Sequence, residues 1–197
     1  MKIKISFFAV MLFLSLLLSS SRYAFIPLIA AAIHELGHIV CARLLGVRLS
    51  RFELGIFGAR ISTECALTSY TKEIAISSAG PLSNLICADI AAIISKTSGV
   101  SSQVFDIFTV SSLALGIINL LPIKTFDGGR IFSSFLSIFL SVSSVEIIID
   151  ICSFLSLFFI WSISLYLLLR TSASLSLFVF SLSVFSNIFI SQRNNFS

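Results

Sequence analysis

Long runs of apolar residues constrain this chain more than any other feature of its sequence. Each run is close to the roughly 20 residues that a helix needs to cross the hydrocarbon core of a bilayer. Hydrophobic residues make up 57% of the chain and charged residues only 11%, whereas soluble domains carry about a quarter charged residues. We therefore expect an all-α polytopic membrane protein with about six transmembrane helices. The runs cover residues 5–20, 23–45, 74–95, 104–121, 145–169 and 172–191.

The first apolar run has two possible interpretations. Lys2 and Lys4 precede residues 5–20, which is the layout of a signal peptide as well as of a first transmembrane helix. No A-x-A-like cleavage site lies near residues 19–21, and the second run follows at once. These two observations favour a retained helix and leave a cleaved signal peptide as the alternative.

The loop between the second and third runs is the most basic part of the chain. By the positive-inside rule this loop faces the cytoplasm. Within it, apolar residues alternate between residues 47 and 63, with a one-residue slip, around Gly55 and Gly58. This period-two pattern predicts a small membrane-associated β-hairpin after the second helix. The basic residues are Arg43, Arg48, Arg51, Arg60 and Lys72.

We expect one membrane-embedded domain over residues 1–197, with a catalytic core and a helical scaffold. The residues able to carry chemistry are concentrated in 23–130, and residues 131–197, rich in Ser, Phe, Leu and Ile, are interpreted as helical scaffold. The apolar stretch 131–142 is too short to span. It is expected to be a continuation of the fourth helix or an interfacial segment.

Charge and cysteine placement argue against two other kinds of site. Basic residues lie at the ends of apolar runs and form no stripe with interleaved aromatic residues, so we expect no nucleic-acid partner. The four cysteines are far apart and form no C-x-x-C pair. They are interpreted as packing residues and not as a zinc site or a disulfide framework.

The second run contains the sequence HELGH at residues 34–38. On a helix, His34 and His38 lie one turn apart on the same face, which suits two imidazoles that bind one metal ion. Glu35 lies about 100° around the helix, where it can take a proton from a metal-bound water. These are the only two histidines in the chain, and the pattern should occur by chance in under about one chain in a hundred of this length.

A catalytic zinc ion needs three protein ligands and an open position, so one further ligand must be found. Asp127 is the strongest candidate, because Pro122 interrupts a helix before it and Gly128 and Gly129 follow it. Irregular backbone at membrane depth is tolerated only where it is buried in protein or lines a wet cavity. The other carboxylates within or beside the runs are Asp89, Glu146 and Asp150.

Three motifs, in this order along the chain, resemble the signatures of the site-2 protease family of intramembrane zinc metalloproteases. They are HELGH at 34–38, SAGPLSN at 78–84 and NLLPIKTFDGG at 119–129. The resemblance covers about residues 31–130, roughly half of the chain. It implies one zinc ion held by His34, His38 and Asp127, with Glu35 as the general base.

The same resemblance implies roles for residues beside the zinc site. Asn119 matches the N-x-x-P-x-P-x-x-D-G element and would brace the substrate, and Gly80 with Asn84 match the G-x-x-x-N element of the third helix. Lys124 departs from the pattern, because the family usually has its second proline at this position. The departure leaves Asp127 in place but affects the segment that approaches it.

The resemblance also implies partners and a location. The substrate would be a membrane protein cut in or near a transmembrane segment, with a membrane regulator or inhibitor as in the small sporulation-type branch. The expected location is the bacterial cytoplasmic membrane, with the active site toward the cytoplasm. Two alternatives remain at this point: a catalytically inactive relative that acts as a membrane chaperone, and a metal-ion-binding transporter.

Overall fold

A computed structural model describes residues 2–5, 23, 25–47, 49–55, 58–63, 69–97 and 103–171. Within these residues the chain forms three strands and five helices. The strands are β1, Lys2–Ile5; β2, Leu49–Gly55; and β3, Gly58–Thr63. The helices are α1, Ile26–Leu44; α2, Tyr70–Thr97; α3, Gln103–Asn119; α4, Asp127–Leu136; and α5, Val142–Thr171.

Three of these helices, α1, α2 and α5, are long and apolar enough to cross a membrane by length and composition. The α3 helix is apolar but has 17 residues, which at 1.5 Å per residue is about 25 Å. The described residues thus support a helical membrane protein with three candidate spans, fewer than the six expected. The first and last predicted runs, 5–20 and 172–191, lie outside the described residues apart from Ile5.

The interval in which the hairpin is predicted contains β2 and β3, which pair antiparallel with Gly55 opposite Gly58. The register shifts between Leu49 and Arg51, where the sequence alternation also slips. The sequence did not indicate that β1 pairs parallel with β2, with Lys2 opposite Arg51. Four residues are too few for a recognisable alternation, and this pairing joins segments far apart in the chain.

The α1 helix buries one face and exposes the opposite one. Its buried residues follow an i, i+4 spacing that places them on a single stripe. Large apolar side chains such as Leu36 and Val40 are more than half exposed on other faces, as expected where lipid is the solvent. The buried stripe consists of Ile26, Ala30, His34, His38 and Ala42.

A glycine ends α1. The N–H of Gly46 donates to the carbonyl of Arg43, and the N–H of Val47 donates to the carbonyl of Ala42, which is the hydrogen-bond pattern of a Schellman motif. Gly46 has a φ of +68°, a conformation that costs residues with a Cβ. In addition, Lys72 Nζ donates to the carbonyl of Leu45 at 3.1 Å.

The chain divides into two compact units, Met1–Leu120 and Leu121–Ser197. In the first unit α2 packs against both α1 and α3. Glycines allow these close contacts: a Cβ on Gly37 would lie 2.6 Å from the carbonyl oxygen of Ala79, and one on Gly116 would lie 3.3 Å from that of Pro81. The HELGH helix therefore lies against the SAGPLSN segment of α2.

In the second unit α4 contacts α5. Of the two interpretations of residues 131–142, a continuation of the fourth helix is wrong, because α3 ends at Asn119 and α4 begins anew at Asp127. The interfacial segment stays a prediction. Pro122 lies in the break, and proline lacks the N–H that a continuing helix would need. The helix α4 is only 10 residues long.

Candidate metal centre

The two histidines of HELGH are brought together on the buried face of α1. Each side chain is 5% exposed, and their Nε2 atoms lie 3.2 Å apart. Two nitrogens bound to one zinc ion at about 2.0–2.1 Å with tetrahedral geometry lie about 3.3 Å apart. The Nε2 pair thus has the spacing of two ligands on a single tetrahedral metal ion.

The backbone of α2 orients the ring of His38. His38 Nδ1 donates a hydrogen bond to the carbonyl oxygen of Ile76 over 2.7 Å. A proton on Nδ1 leaves the lone pair of Nε2 available for a metal ion, which is the usual outer-shell arrangement of a metal-binding histidine.

A side chain of α2 contacts the ring of His34. Asn84 is fully buried, and its Nδ2 lies 3.3 Å from His34 Nδ1. Its Oδ1 has no hydrogen-bond partner among the residues that the structure describes. Asn84, predicted from the family motif to bind substrate, thus lies against a predicted metal ligand.

Gly80 leaves the space that both imidazoles occupy. A Cβ at this position would overlap His38 Nε2, and it would lie 2.5 Å from His38 Cε1 and 2.9 Å from His34 Nε2. Real Cβ atoms do not approach other atoms this closely, so the two rings can converge only beside a glycine. This contact gives Gly80 a role in making room for the histidines, while substrate contact by Gly80 and Asn84 stays a prediction.

Glu35 is half-buried and follows His34 on α1. Because consecutive helical residues are about 100° apart, its carboxylate lies to one side of the stripe that carries the histidines. That is the expected place of a proton acceptor beside a metal ion rather than a ligand of it.

Asp127, the predicted third ligand, is the first residue of α4 in the second unit and is 8% exposed. A carboxylate is stabilised there by the helix dipole. The turn before α4 is packed tightly: a Cβ on Gly129 would overlap the carbonyl oxygen of Ile123 and lie 2.5 Å from its carbon. The glycine pair after Asp127 therefore includes one position where a side chain has no room.

Asn119, predicted to brace substrate, is the last residue of α3. Its Nδ2 donates to the carbonyl oxygen of Leu115 at 3.0 Å, one turn earlier in the same helix. Three other carboxylates were considered as ligands: Asp89 and Glu146 are exposed, and Asp150 forms an ion pair with Lys124.

Two contacts to the HELGH helix were not predicted from the sequence. One is the Ile76 carbonyl that accepts from His38; a backbone acceptor has no residue-type signature. The other is Ser83 Oγ, which lies 3.2 Å from the carbonyl oxygen of Ile33 and 2.7 Å from that of Gly80. Ser83 lies within SAGPLSN, but the motif did not indicate which helix it would contact.

The apolar helices and the paired histidines define a class of protein: a helical membrane protein with the HExxH arrangement of metallopeptidases. A profile of Peptidase family M50 matches residues 23–102 and 89–163, which together are more than half of the chain. The chain therefore belongs to peptidase family M50, the site-2 protease family of membrane proteases.

Two relatives agree with this assignment. Stage IV sporulation protein FB of Bacillus subtilis (strain 168) is 32% identical over 105 residues, which cover 53% of this chain and 36% of that protein. The chain thus matches about a third of the length of this curated relative. The structure of a Site-2 Protease from Methanocaldococcus jannaschii matches 92% of this chain and 86% of that one, with a TM-score of 0.64 and 23% identity, and supports the fold.

Proposed function

We propose that this chain is an intramembrane zinc metalloendopeptidase that hydrolyses a peptide bond in or near a transmembrane segment of a substrate protein. One observation carries the proposal. The buried Nε2 atoms of His34 and His38 lie 3.2 Å apart, and Glu35 is the intervening acidic residue that HExxH peptidases use as base. Membership in a protease family supports the reaction class.

The residues present suit a single zinc ion. Zinc is bound well by two neutral imidazoles and one carboxylate, with the fourth position open to water or substrate. We assign Asp127 as the carboxylate ligand, because it is buried and begins a helix in the NLLPIKTFDGG segment. The chain has only two histidines, so the third ligand cannot be another imidazole.

Metal binding through His34 also fixes the orientation of the Asn84 amide. For His34 Nε2 to bind zinc, the Nδ1 atom must carry the proton and needs an acceptor. Turning the Asn84 amide by 180° exchanges two nearly isosteric groups and points Oδ1 at Nδ1. The buried Oδ1, which lacks a partner among the described residues, would then accept from the ring.

The chain's own residues account for the proton transfers. When bound, the zinc ion polarises the scissile carbonyl and makes water acidic enough to attack near neutral pH. Glu35 accepts the proton of the attacking water and then delivers it to the leaving amine. The two histidines lie on the face of α1 that packs against α2, and their burial limits the access of bulk water.

A substrate helix must unwind locally before its carbonyl can be attacked, because that carbonyl is already hydrogen-bonded in the helix. We propose that the sheet receives the unwound segment by strand addition. In the described sheet the order is β1-β2-β3, so β2 is paired on both sides, and β1 and β3 are the edges. Of these two, β3 belongs to the predicted hairpin. The edge of β3 is accordingly the proposed docking strand.

We further propose that the protein lies in the bacterial cytoplasmic membrane with its site toward the cytoplasm, and that a membrane regulator or inhibitor controls it. The basic loop between α1 and α2 supports the orientation. The similarity to a stage IV sporulation protein supports regulated proteolysis of the sporulation type.

The test is cleavage of a transmembrane substrate by the wild-type chain and by Glu35→Gln, co-expressed in a bacterium. Glutamine keeps the shape of Glu35 but cannot accept the proton, so fragments should disappear while zinc content is retained. Glu146→Gln is the matched control, because this carboxylate is exposed at the start of α5, and it should cleave like wild type. Equal cleavage by Glu35→Gln and wild type would contradict the proposal.

A further inference from the structure

The segment that leads into Asp127 contains a tight turn with Lys124 at its second position. The N–H of Phe126 donates to the carbonyl of Ile123 at 2.8 Å, which closes a four-residue turn over residues 123–126. Proline favours the second position of such turns because its φ is already fixed. The lysine here gives up that restriction and gains a backbone N–H and a charged side chain.

The backbone N–H of Lys124 forms a hydrogen bond to a side chain of α5. It donates to Ser153 Oγ at 2.9 Å, and Ser153 is 1% exposed. Ser153 donates its own proton to the carbonyl of Ile149 at 2.6 Å, so its oxygen lone pairs are available as acceptors. A proline at position 124 could not form this hydrogen bond.

The side chain of Lys124 reaches the same helix. Its Nζ lies 3.0 Å from Asp150 Oδ1, and Asp150 lies three residues, about one turn, before Ser153 on α5. Asp150 lies about 12 Å from the start of this apolar helix, where an isolated charge would be costly. The ion pair with Lys124 therefore neutralises the charge of Asp150 on this candidate span.

We propose that Lys124, through Ser153 and Asp150, replaces the restriction that a proline would impose and holds the turn that positions Asp127 for zinc. Lys124, Ser153 and Asp150 are together called the Lys124 clamp below. Movement of the turn would also displace α4, because the carbonyl of Ile123 lies so close to Gly129 that a Cβ on Gly129 would have no room. Lys124 and Ser153 are thus positioning residues, and this inference rests on the proposed role of Asp127.

The first test needs no metal. Hydrogen exchange of the amides of residues 121–130 is measured on the full-length metal-free protein in detergent. Ser153→Ala should raise exchange in this segment about tenfold, because the Lys124 N–H loses its acceptor. Ser162→Ala is the matched control: Ser162 Oγ makes the same bond to a carbonyl one turn earlier, that of Phe158, and no loop N–H donates to it among the described residues.

The second test is a double-mutant cycle read as zinc affinity by chelator competition. Lys124→Ala and Asp150→Asn should each weaken binding about two- to fivefold, as for a partly exposed ion pair, and the double variant should be no weaker than either. Lys124→Asp with Asp150→Lys should recover most of the loss. Glu146→Gln, on the same helix, should bind zinc like wild type.

A third variant tests whether a proline can replace the clamp. Lys124→Pro with Ser153→Ala and Asp150→Asn removes both contacts but restores the turn preference of proline, so its zinc affinity should exceed that of Lys124→Ala with the same two changes. Unchanged exchange in Ser153→Ala, or additive losses in the cycle, would overturn the inference. Absence of zinc from the wild-type chain would instead refute the proposed function, while the exchange test would still decide on the clamp.

Discussion

Gly80→Ala is a demanding test of the proposed metal centre, because one methyl group would occupy the place where the two imidazoles meet. The added Cβ would lie 2.5 Å from His38 Cε1 and 2.9 Å from His34 Nε2, and would overlap His38 Nε2. Carbon atoms in contact normally lie about 3.5–4.0 Å apart. Relief of the first contact alone therefore requires a displacement of about 1 Å.

A displacement of this size is large compared with the tolerance of metal–ligand bonds, which is about 0.2 Å. We expect zinc affinity to fall by at least about 100-fold, the upper range for loss of an outer-shell partner. Overpacking should also destabilise the folded protein by about 1–3 kcal/mol. The zinc effect should be the larger of the two, since both ligands are displaced together.

The assay is chelator competition on purified protein, with thermal unfolding recorded in parallel. Gly116→Ala is the matched control: it also adds a methyl to a helical glycine at a contact between two helices, but its nearest contacts are at 3.3 Å and involve no histidine. Gly116 lies on α3 and faces α2, whereas Gly80 lies on α2 and faces α1, so both changes add a methyl at a contact between helices. This control should bind zinc like wild type. Full zinc affinity in a folded Gly80→Ala protein would refute the close approach of the two imidazole rings to Gly80.

Three other changes test separate parts of the account. Asn84→Leu should weaken zinc binding about 10- to 100-fold in the same competition assay, because it removes the hydrogen-bond partner of His34. Asn84→Asp offers an acceptor and should bind zinc more tightly than Asn84→Leu. Equal affinities of the two variants would argue against the hydrogen bond. Gly46→Ala should lower the free energy of unfolding by about 1 kcal/mol because of the positive φ, and thermal unfolding should show a smaller effect for Gly46→Asn. An unchanged free energy of unfolding in Gly46→Ala would argue against the Schellman motif at the end of α1. Removal of zinc by a chelator should lower the unfolding temperature, since a ligand that binds only the folded state stabilises it, and Asp127→Ala should make the protein insensitive to the chelator.

The sequence predicted much of α1 correctly, because burial and chemistry there follow one period. The i, i+4 spacing that places two histidines on one face also places Ala30 and Ala42 there. Pro122 likewise marked the break before Asp127. In both places a single local rule, helical periodicity or the missing N–H of proline, decides the structure.

Contacts between helices could not be predicted in the same way. HELGH does not indicate that Ile76 supplies an acceptor or that Gly80 supplies space, because both depend on how α2 crosses α1. The pairing of β1 with β2 depends on segments more than 40 residues apart. The hydrogen bond from the Lys124 N–H to Ser153 could not be predicted either, since Ser153 lies 29 residues further along the chain.

The central claim is that His34, His38 and Asp127 hold one zinc ion. Zinc X-ray absorption spectroscopy of the purified protein tests it most directly, together with the zinc content per chain. We predict one zinc ion per chain with two imidazole ligands and oxygen in the remaining positions, and loss of this spectrum in Asp127→Ala. A sulfur ligand near 2.3 Å, or a chain that folds without binding zinc, would contradict the claim.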